Sequence, residues 1–364
     1  MAAWPITMLR SVSGRCRDAV VNRRYAKADQ RFLITRHPAK NPHFYNVLLD
    51  WTASKLPHVR SRFELRMLPL LVRSRSNYVL HVPWLQDPVQ QWSRMAYAQA
   101  RRLTAELDDR GVPTINRVDR LTNASKSNGA RLIGGVGIRT PRTIPIDDAE
   151  RFRNTLLGLE PPLLVREDWG HADDHALEAG RVVRCDTRDD VRKLKLERFA
   201  RPVAMEFIET RNSRDGLYRK YRYVAAGDIG VAHHLQVEGH WFVKGGNQLY
   251  SEAIREEDLA YLSGPDPNHE ILQRARRALE LDFVAFDYSY DLNGRLVVWE
   301  ANPYPFLHFI GGRRAYRTPA VERTLAAILQ LYHTRAGLRV PDEVGELLAY
   351  RRSDACAAAG EAAQ

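Results

Sequence analysis

Three residues in the last quarter of the chain have the character and spacing of a divalent-cation site. Asp287 lies in a segment rich in aromatic and β-branched residues, and Glu300 and Asn302 lie in a second such segment after Asn293-Gly294. Asn-Gly is a strong hairpin signal, because both turn positions must tolerate positive φ. A two-residue loop places Asp287 opposite Glu300, with Asn302 on the same face. A four-residue loop moves Asp287 to the diagonal but keeps it on that face.

Two carboxylates that face each other across a β ladder repel and destabilise the sheet. A hard cation such as Mg2+ removes this repulsion, since it takes oxygen ligands from carboxylates and from substrate phosphates. We therefore predict that Asp287, Glu300 and Asn302 form a metal site. The alternative interpretation is an acidic strand face that is simply solvated.

An alternating segment upstream of the hairpin supplies positive charge. Lys220 and Arg222 share one face of a predicted strand over residues 215–224. Cations facing the acidic hairpin suit phosphate oxygens and the charge that develops during phosphoryl transfer. The alternative is a solvated edge strand whose charges resist aggregation.

The order of Asp287, a hairpin and then Glu300-x-Asn302 resembles the metal-binding end of the ATP-grasp superfamily, where such residues hold Mg2+ against the nucleotide phosphates. A second stretch, Gly111–Thr143, resembles the same superfamily through Pro113–Asn116, Lys126 and Gly137–Pro141. The resemblance covers about residues 31–332. It implies ATP and Mg2+ as cofactors.

The resemblance also implies roles for other residues. Lys126 is a phosphate-binding candidate, and so is Arg166, which stands where the family usually has a lysine and offers a planar fork of donors. Lys244 fits a cation that often precedes a glycine turn. The segment Pro202–Glu209 resembles the strand that binds the adenosine. The implied adenosine ligands are Glu206, Phe207, Ile208 and Glu209.

The segment after Arg166 departs from the glycine-rich flap of the family. It keeps Gly170 and carries His171 and His175, with Asp173 and Asp174 between them. We assign His171 to the cofactor-binding residues. The i, i+4 spacing of the histidines also suits a metal on a helix, but a polar lid is the favoured interpretation.

These observations predict an α/β (α+β) protein, with an N-terminal parallel-sheet α/β domain followed by a two-lobed ATP-grasp domain. The activity implied by the resemblance is ATP-dependent ligation. The enzyme activates a carboxylate as an acyl phosphate and transfers it to an amine or a similar nucleophile, with Lys220, Arg222 and Lys244 as catalytic residues. The alternatives are a nucleotide-binding regulatory module without turnover and an ATP-grasp small-molecule kinase.

The predicted domain order has five parts. Residues 1–30 are expected to form a disordered basic tail, and 31–120 the N-terminal domain. The small lobe with the flap spans 121–200. The large lobe with the metal site spans 201–335, and 336–364 form a C-terminal tail.

Charge and cysteine content limit the expected partners and the expected cellular compartment. Residues 1–78 hold 15 Lys/Arg and 4 Asp/Glu, so this first part accounts for the net charge of +11. No nucleic-acid motif accompanies the charge, so we expect no nucleic-acid partner. We expect a small-molecule substrate, and the positive charge favours an anionic one. No apolar run reaches the roughly 20 residues that span a bilayer. The three scattered cysteines indicate a reducing compartment, and we expect a cytoplasmic location and, by the resemblance, a possible homodimer.

Overall fold

The computed structural model describes residues 3–37, 44–68, 76–85, 89–169, 181–244 and 248–349. Its contacts divide the chain into two compact units. Unit 1 holds the described residues up to Thr122, together with Leu281–Val284 and residues 303–349. Unit 2 holds Asn123–Glu280 and Ala285–Asn302. No helix within these described ranges is long and apolar enough to cross a membrane.

Helices and strands are interspersed along the chain. The strands are β1 Gln30–Arg36, β2 Phe63–Met67, β3 Asn77–Trp84, β4 Thr143–Pro145, β5 Leu163–Glu167, β6 Val182–Cys185, β7 Pro202–Glu206, β8 Tyr218–Ala226, β9 Ile229–Glu238, β10 Phe283–Tyr290 and β11 Leu296–Asn302. The α-helices are α1 Ala3–Tyr25, α2 Phe44–Lys55, α3 Pro57–Arg60, α4 Val89–Trp92, α5 Arg94–Asp108, α6 Lys126–Gly135, α7 Ala149–Thr155, α8 Arg188–Lys193, α9 Glu252–Leu262, α10 His269–Ala278, α11 Thr318–Arg335 and α12 Asp342–Leu348.

Unit 1 is built on the parallel sheet that the sequence predicted. Its strand order is β2-β1-β3, and both pairings are parallel. The central strand is buried continuously over Phe32, Leu33, Ile34 and Thr35. Such an unbroken buried run is typical of a parallel strand covered on both faces.

The prediction of a disordered tail over residues 1–30 is wrong, because Ala3–Tyr25 forms α1. The side chain of Asn22 occupies the outer edge of β2. Its amide nitrogen donates to the Leu65 carbonyl and its oxygen accepts from the Leu65 amide, both at 2.8 Å. Asp18 is buried and accepts a hydrogen bond from Arg36. The helix is therefore ordered by tertiary contacts that its arginine-rich sequence does not reveal.

The segment that follows the hairpin also lies elsewhere than predicted. The sequence assigned residues up to 335 to the large lobe, whereas residues 303–349 cluster with unit 1. The Tyr304 hydroxyl donates to the Pro83 carbonyl at 2.6 Å, and Trp84 donates to the Tyr332 hydroxyl at 3.2 Å. Buried aromatic contacts with the parallel sheet thus determine where α11 packs. Residues 350–364 lie outside the described residues.

Unit 2 contains two four-stranded sheets, in agreement with the two lobes expected from the sequence. One has the order β4-β7-β5-β6 and the other β11-β10-β8-β9. Apolar residues of the first sheet pack with α7 and α8. This core includes Leu163 of β5, Phe152 of α7 and Val191 of α8. The second sheet carries all three residues of the predicted metal site.

The hairpin between β10 and β11 turns differently from the two-residue loop that we expected. The Gly294 amide donates to the Asp291 carbonyl at 2.8 Å, and the Asp291 amide donates to the Arg295 carbonyl at 2.9 Å. The loop therefore has three residues, with positive φ at Gly294 and not at Asn293. The Asp291 carboxylate stabilises this turn, because it accepts the amides of Asn293 and Arg295.

A bulge in β11 compensates for the extra loop residue. Tyr288 pairs with Val298, whereas Asp287 pairs with Glu300, so Trp299 has no partner across the ladder. The odd loop shifts the register by one residue, and the bulge shifts it back. The predicted pairing of Asp287 with Glu300 is therefore confirmed, although the turn that led to it was wrong.

Asn116, the last residue of the Pro113–Asn116 segment, fastens that segment to the start of β10 within unit 1. It is 2% exposed and has a φ of +51°. Its side-chain oxygen accepts the amides of Asp282 (2.9 Å) and Phe283 (3.0 Å), and its nitrogen donates to the Phe283 carbonyl at 2.7 Å. Asparagine suits this position, because it tolerates left-handed backbone and carries both a donor and an acceptor.

We predict that Asn116→Ala lowers the free energy of unfolding by about 3 kcal/mol, since it leaves buried backbone groups of Asp282 and Phe283 without partners. Urea denaturation followed by circular dichroism measures this change. Asn293→Ala, at an exposed turn position, is the matched control and should change stability by no more than about 0.5 kcal/mol. Equal effects of the two substitutions would contradict the proposed role of Asn116.

Candidate active site

The hairpin brings the three predicted metal ligands onto neighbouring strand positions. Asp287 and Glu300 are directly paired, and Asn302 follows two residues later on β11, paired with Ala285. The side chains of Asp287 and Glu300 are 13% and 18% exposed, so both are largely shielded from solvent. Two shielded carboxylates on directly paired residues need positive charge nearby for both to remain ionised.

The adjacent strand β8 supplies that charge. Arg222 makes a two-pronged contact with Asp287, with Nε 2.7 Å from Oδ1 and Nη2 2.9 Å from Oδ2. The Lys220 Nζ lies 3.5 Å from Asp287 Oδ2. Burial by itself would raise the pKa of Asp287, but Arg222 and Lys220 outweigh it and hold the pKa at about 2. The predicted cationic face of β8 thus meets the acidic hairpin.

Lys220 and Lys244 extend the cationic surface. Burial lowers the pKa of Lys220 to about 8, opposed by Asp287 and reinforced by the neighbouring charges of Lys244 and Arg222. The Lys220 ammonium donates to the Val243 carbonyl at 2.9 Å. The backbone amide of Lys244 donates to Glu238 Oε1 at 2.7 Å, which positions the segment that carries this second lysine.

Arg166 is a buried cation with little compensation. It is the second-to-last residue of β5. Its side chain is 12% exposed, and its Nη2 is 4.0 Å from Glu300 Oε2. Its Nε is buried and has no hydrogen-bond partner within the described part of the chain. Burial lowers the pKa of Arg166, with Glu300 opposing the shift. A guanidinium in this state is a receptor for an additional anion.

These charged groups open into one pocket whose remaining wall is apolar. The polar lining includes Arg166, Lys220, Lys244, Asp287 and Glu300. The apolar and aromatic lining consists of Leu164, Met205, Phe207, Ile208, Trp241, Phe242, Val243 and Trp299. A flat apolar wall beside a cluster of cations suits a ligand with an aromatic ring at one end and several negative charges at the other.

Sequence reasoning missed several of these wall residues. Arg184 lies over the Phe207 ring at 4.1 Å, and Phe207 contacts Trp241 edge to face with centroids 5.8 Å apart. Trp241 had a signal, because it lies in a stretch rich in His, Trp and Lys. Leu164 and Trp299 had none, since a buried strand residue and a bulge residue look like ordinary core in the sequence.

The predicted adenosine ligands separate into two groups. Phe207 and Ile208 line the pocket just beyond the end of β7. The Glu206 carboxylate instead accepts the Arg142 amide at 3.1 Å and lies 3.7 Å from Arg139. Glu209 accepts the amides of Thr210 and Arg211 at 3.0 and 2.9 Å.

Lys126 is held beside the end of β5 but does not line the pocket. It is buried at the start of α6, and its amide donates to the Asp168 carbonyl at 3.0 Å. The Asp168 carboxylate accepts the amide and hydroxyl of Ser127 at 2.8 and 2.9 Å. The predicted ligand His171 lies outside the described residues, as does the rest of segment 170–180.

The donor set fits Mg2+ by its chemistry. Among the described residues no group of three or more His, Cys, Asp or Glu side chains forms a metal cluster. Asp287, Glu300 and Asn302 nevertheless offer two carboxylates and an amide oxygen on one strand pair, which are the ligands that hard cations prefer. Both Asp287 oxygens are bound by Arg222, so a metal would have to share or replace that contact.

Comparison with known proteins gives a structural match. No protein-family model matches the chain, and no curated protein matches it. A RimK domain ATP-grasp protein from Sphaerobacter thermophilus is 14% identical over 83% of this chain and 99% of its own, with a TM-score of 0.50. VanG D-Ala:D-Ser ligase from Enterococcus faecalis is 13% identical over 84% of this chain and 100% of its own, with a TM-score of 0.50.

A third match extends the likeness. N5-carboxyaminoimidazole ribonucleotide synthetase from Thermus thermophilus is 15% identical over 85% of this chain and 79% of its own, with a TM-score of 0.50. At these identities the likeness shows the fold alone. The chain therefore has the ATP-grasp fold, which confirms the fold that the sequence predicted.

We predict that Arg166→Met weakens binding of inorganic tripolyphosphate at least tenfold, about 1.4 kcal/mol, because it removes a buried cation of the pocket. Thermal stability should be unchanged or higher, since an apolar side chain avoids the cost of a poorly paired buried charge. Calorimetric titration and thermal unfolding measure the two effects. A loss of stability without a loss of anion binding would show that Arg166 is structural.

Arg153→Met is the matched control for this experiment. Arg153 also has a buried Nε without a hydrogen-bond partner in the described chain, but it lies on α7, and its Nη2 donates to the Leu194 carbonyl at 3.3 Å. Its substitution should leave tripolyphosphate binding unchanged.

Proposed function

We propose that this protein is an ATP-dependent ligase that activates a carboxylate as an acyl phosphate and transfers the acyl group to an amine or a similar nucleophile. The observation that carries this proposal is the pocket of unit 2. There the cations Arg166, Lys220 and Lys244 surround two paired carboxylates beside an aromatic and apolar wall. The ATP-grasp fold supports a nucleotide as the ligand of such a pocket.

The nucleotide would use both halves of the pocket. Its base would contact Phe207 and Ile208, and its ribose would be within the reach of Glu209. Its phosphates would be bound by Arg166, Lys220, Arg222 and Lys244, with Lys126 at the adjacent helix start. His171, which lies outside the described residues, is kept in the proposal as a cofactor-binding residue.

Phosphoryl transfer depends on positioning and on charge neutralisation more than on covalent chemistry. A carboxylate oxygen of the donor attacks the γ-phosphorus, the bond to the bridging oxygen breaks, and ADP leaves. Lys220 and Arg222 would stabilise the negative charge on the transferring group, because they are cations in a site that is largely shielded from water. Mg2+ held by Asp287, Glu300 and Asn302 would supply further neutralisation of the phosphates.

The second half-reaction forms the product bond. The amine nitrogen attacks the acyl carbon, the carbon–oxygen bond to phosphate breaks, and inorganic phosphate leaves while the nitrogen loses a proton. Lys244 borders the same pocket and would stabilise the departing phosphate. We propose a small-molecule substrate, with an anionic one favoured by the positive charge of the first 78 residues, and a cytoplasmic setting.

We predict that the wild-type protein binds Mg-ATP and that Asp287→Asn and Glu300→Gln abolish the metal dependence of this binding. Each substitution removes a charged oxygen ligand and keeps the shape of the side chain. Isothermal titration calorimetry with and without Mg2+ measures the effect. Glu270→Gln is the control, since the Glu270 side chain is 87% exposed and does not line the pocket.

Turnover separates the ligase from its two alternatives. Release of ADP in the presence of a carboxylate, with hydroxylamine trapping an acyl hydroxamate, is the expected result for the ligase. ADP release without hydroxamate supports a kinase. Mg-ATP binding without ADP release across a panel of carboxylates supports a regulatory module, and wild-type protein that does not bind Mg-ATP contradicts the proposal.

A further inference from the structure

The contact between Arg222 and Asp287 has a consequence for the proposed metal site. Both oxygens of Asp287 are already bound, at 2.7 Å and 2.9 Å, by the two nitrogens of one guanidinium. Lys220 adds a second cation at 3.5 Å from Oδ2. In this arrangement a divalent cation that approaches Asp287 meets two positive charges, and each Asp287 oxygen already accepts a hydrogen bond from Arg222.

The ion pair between Arg222 and Asp287 is costly to separate. The side chains of Arg222 and Asp287 are 14% and 13% exposed, so water screens their attraction only weakly. Two-pronged guanidinium–carboxylate contacts are among the stronger hydrogen-bonded ion pairs in proteins. Separating such a pair leaves two poorly solvated charges unless each finds a new partner at the same time.

The backbone of Arg222 is fixed, so an exchange of partners has to occur in its side chain. The Arg222 carbonyl lies 3.0 Å from the Tyr261 hydroxyl, which is also 2.7 Å from Asp266 Oδ2. Arg222 is further paired across the ladder with His234. Moving the guanidinium away from Asp287 therefore requires rotation about the side-chain bonds of Arg222.

We infer that Arg222 blocks Asp287 in the nucleotide-free protein and that the metal site forms only when an anion in the pocket takes over the guanidinium. On the proposed function, on which this inference rests for the identity of the anion, the phosphates of the nucleotide draw Arg222 away while the metal takes Asp287. Metal and nucleotide then bind with positive coupling, and each raises the affinity for the other by the same factor.

The test is metal binding in the absence of nucleotide, with Mn2+ as the probe because it takes the same oxygen ligands and is visible by electron paramagnetic resonance. The wild-type protein should bind Mn2+ weakly. Arg222→Gln, which removes the charge and keeps most of the side-chain volume, should bind Mn2+ at least tenfold more tightly. Arg222→Lys, which keeps the charge but loses the fork, should fall between them.

Two controls make the gain specific. Arg222→Gln combined with Asp287→Asn should lose the added affinity, because the released carboxylate is absent. Arg276→Gln removes another shielded arginine, which pairs with Asp228 at 3.0 Å, and should bind Mn2+ as the wild type does. If Arg222→Gln does not fold, the comparison of Arg222→Lys with the wild type decides the question.

The outcomes are distinguishable from those of the proposed function. Folded Arg222 variants that bind Mn2+ no more tightly than the wild type overturn the inference, even if the wild type binds Mg-ATP. Tighter Mn2+ binding by the variants supports the blocking contact, even if the wild type fails to bind Mg-ATP and the ligase proposal falls.

Discussion

The ion pair between Arg222 and Asp287 is the interaction on which the rest of the candidate site depends. It joins β8 to β10 and neutralises a carboxylate that would otherwise repel Glu300 across the hairpin. Asp287 is paired with Arg222 and lies 3.5 Å from Lys220, and Glu300 lies 4.0 Å from Arg166. Lys244 adds a further positive charge to the pocket lining, so the cations of the site outnumber its two carboxylates.

Two β-bulges lie in the sheet that carries the pair. In β11 the bulge residue is Trp299, and in β9 it is His233, since Arg222 pairs with His234 while Tyr223 pairs with Ala232. Bulges re-aim side chains and increase local twist, and they are frequent beside functional sites. The bulge in β11 places Asp287 opposite Glu300, and Trp299 lines the apolar wall of the pocket.

A buried carboxylate in unit 1 shows what a purely structural charge looks like. Glu64 accepts hydrogen bonds from Arg31, Arg66, Ser76 and Tyr78 at 2.7 to 2.8 Å, and its side chain is 1% exposed. Its partners satisfy both oxygens, so nothing remains to bind a ligand. Arg166 differs, because its Nε is buried without a partner in the described chain.

The sequence by itself determined the hairpin and the facing carboxylates, because alternation and the Asn-Gly signal are local periodicities that the chain carries wherever it packs. The fold was implied by the resemblance of its motifs, in their order, to a known superfamily. Tertiary structure alone decided which charges meet. The order of α1, the packing of α11 with unit 1, the bulge at Trp299 and the closure of Arg222 on Asp287 all arise between residues distant in sequence. Their energies come from burial and partner choice, which no local pattern records.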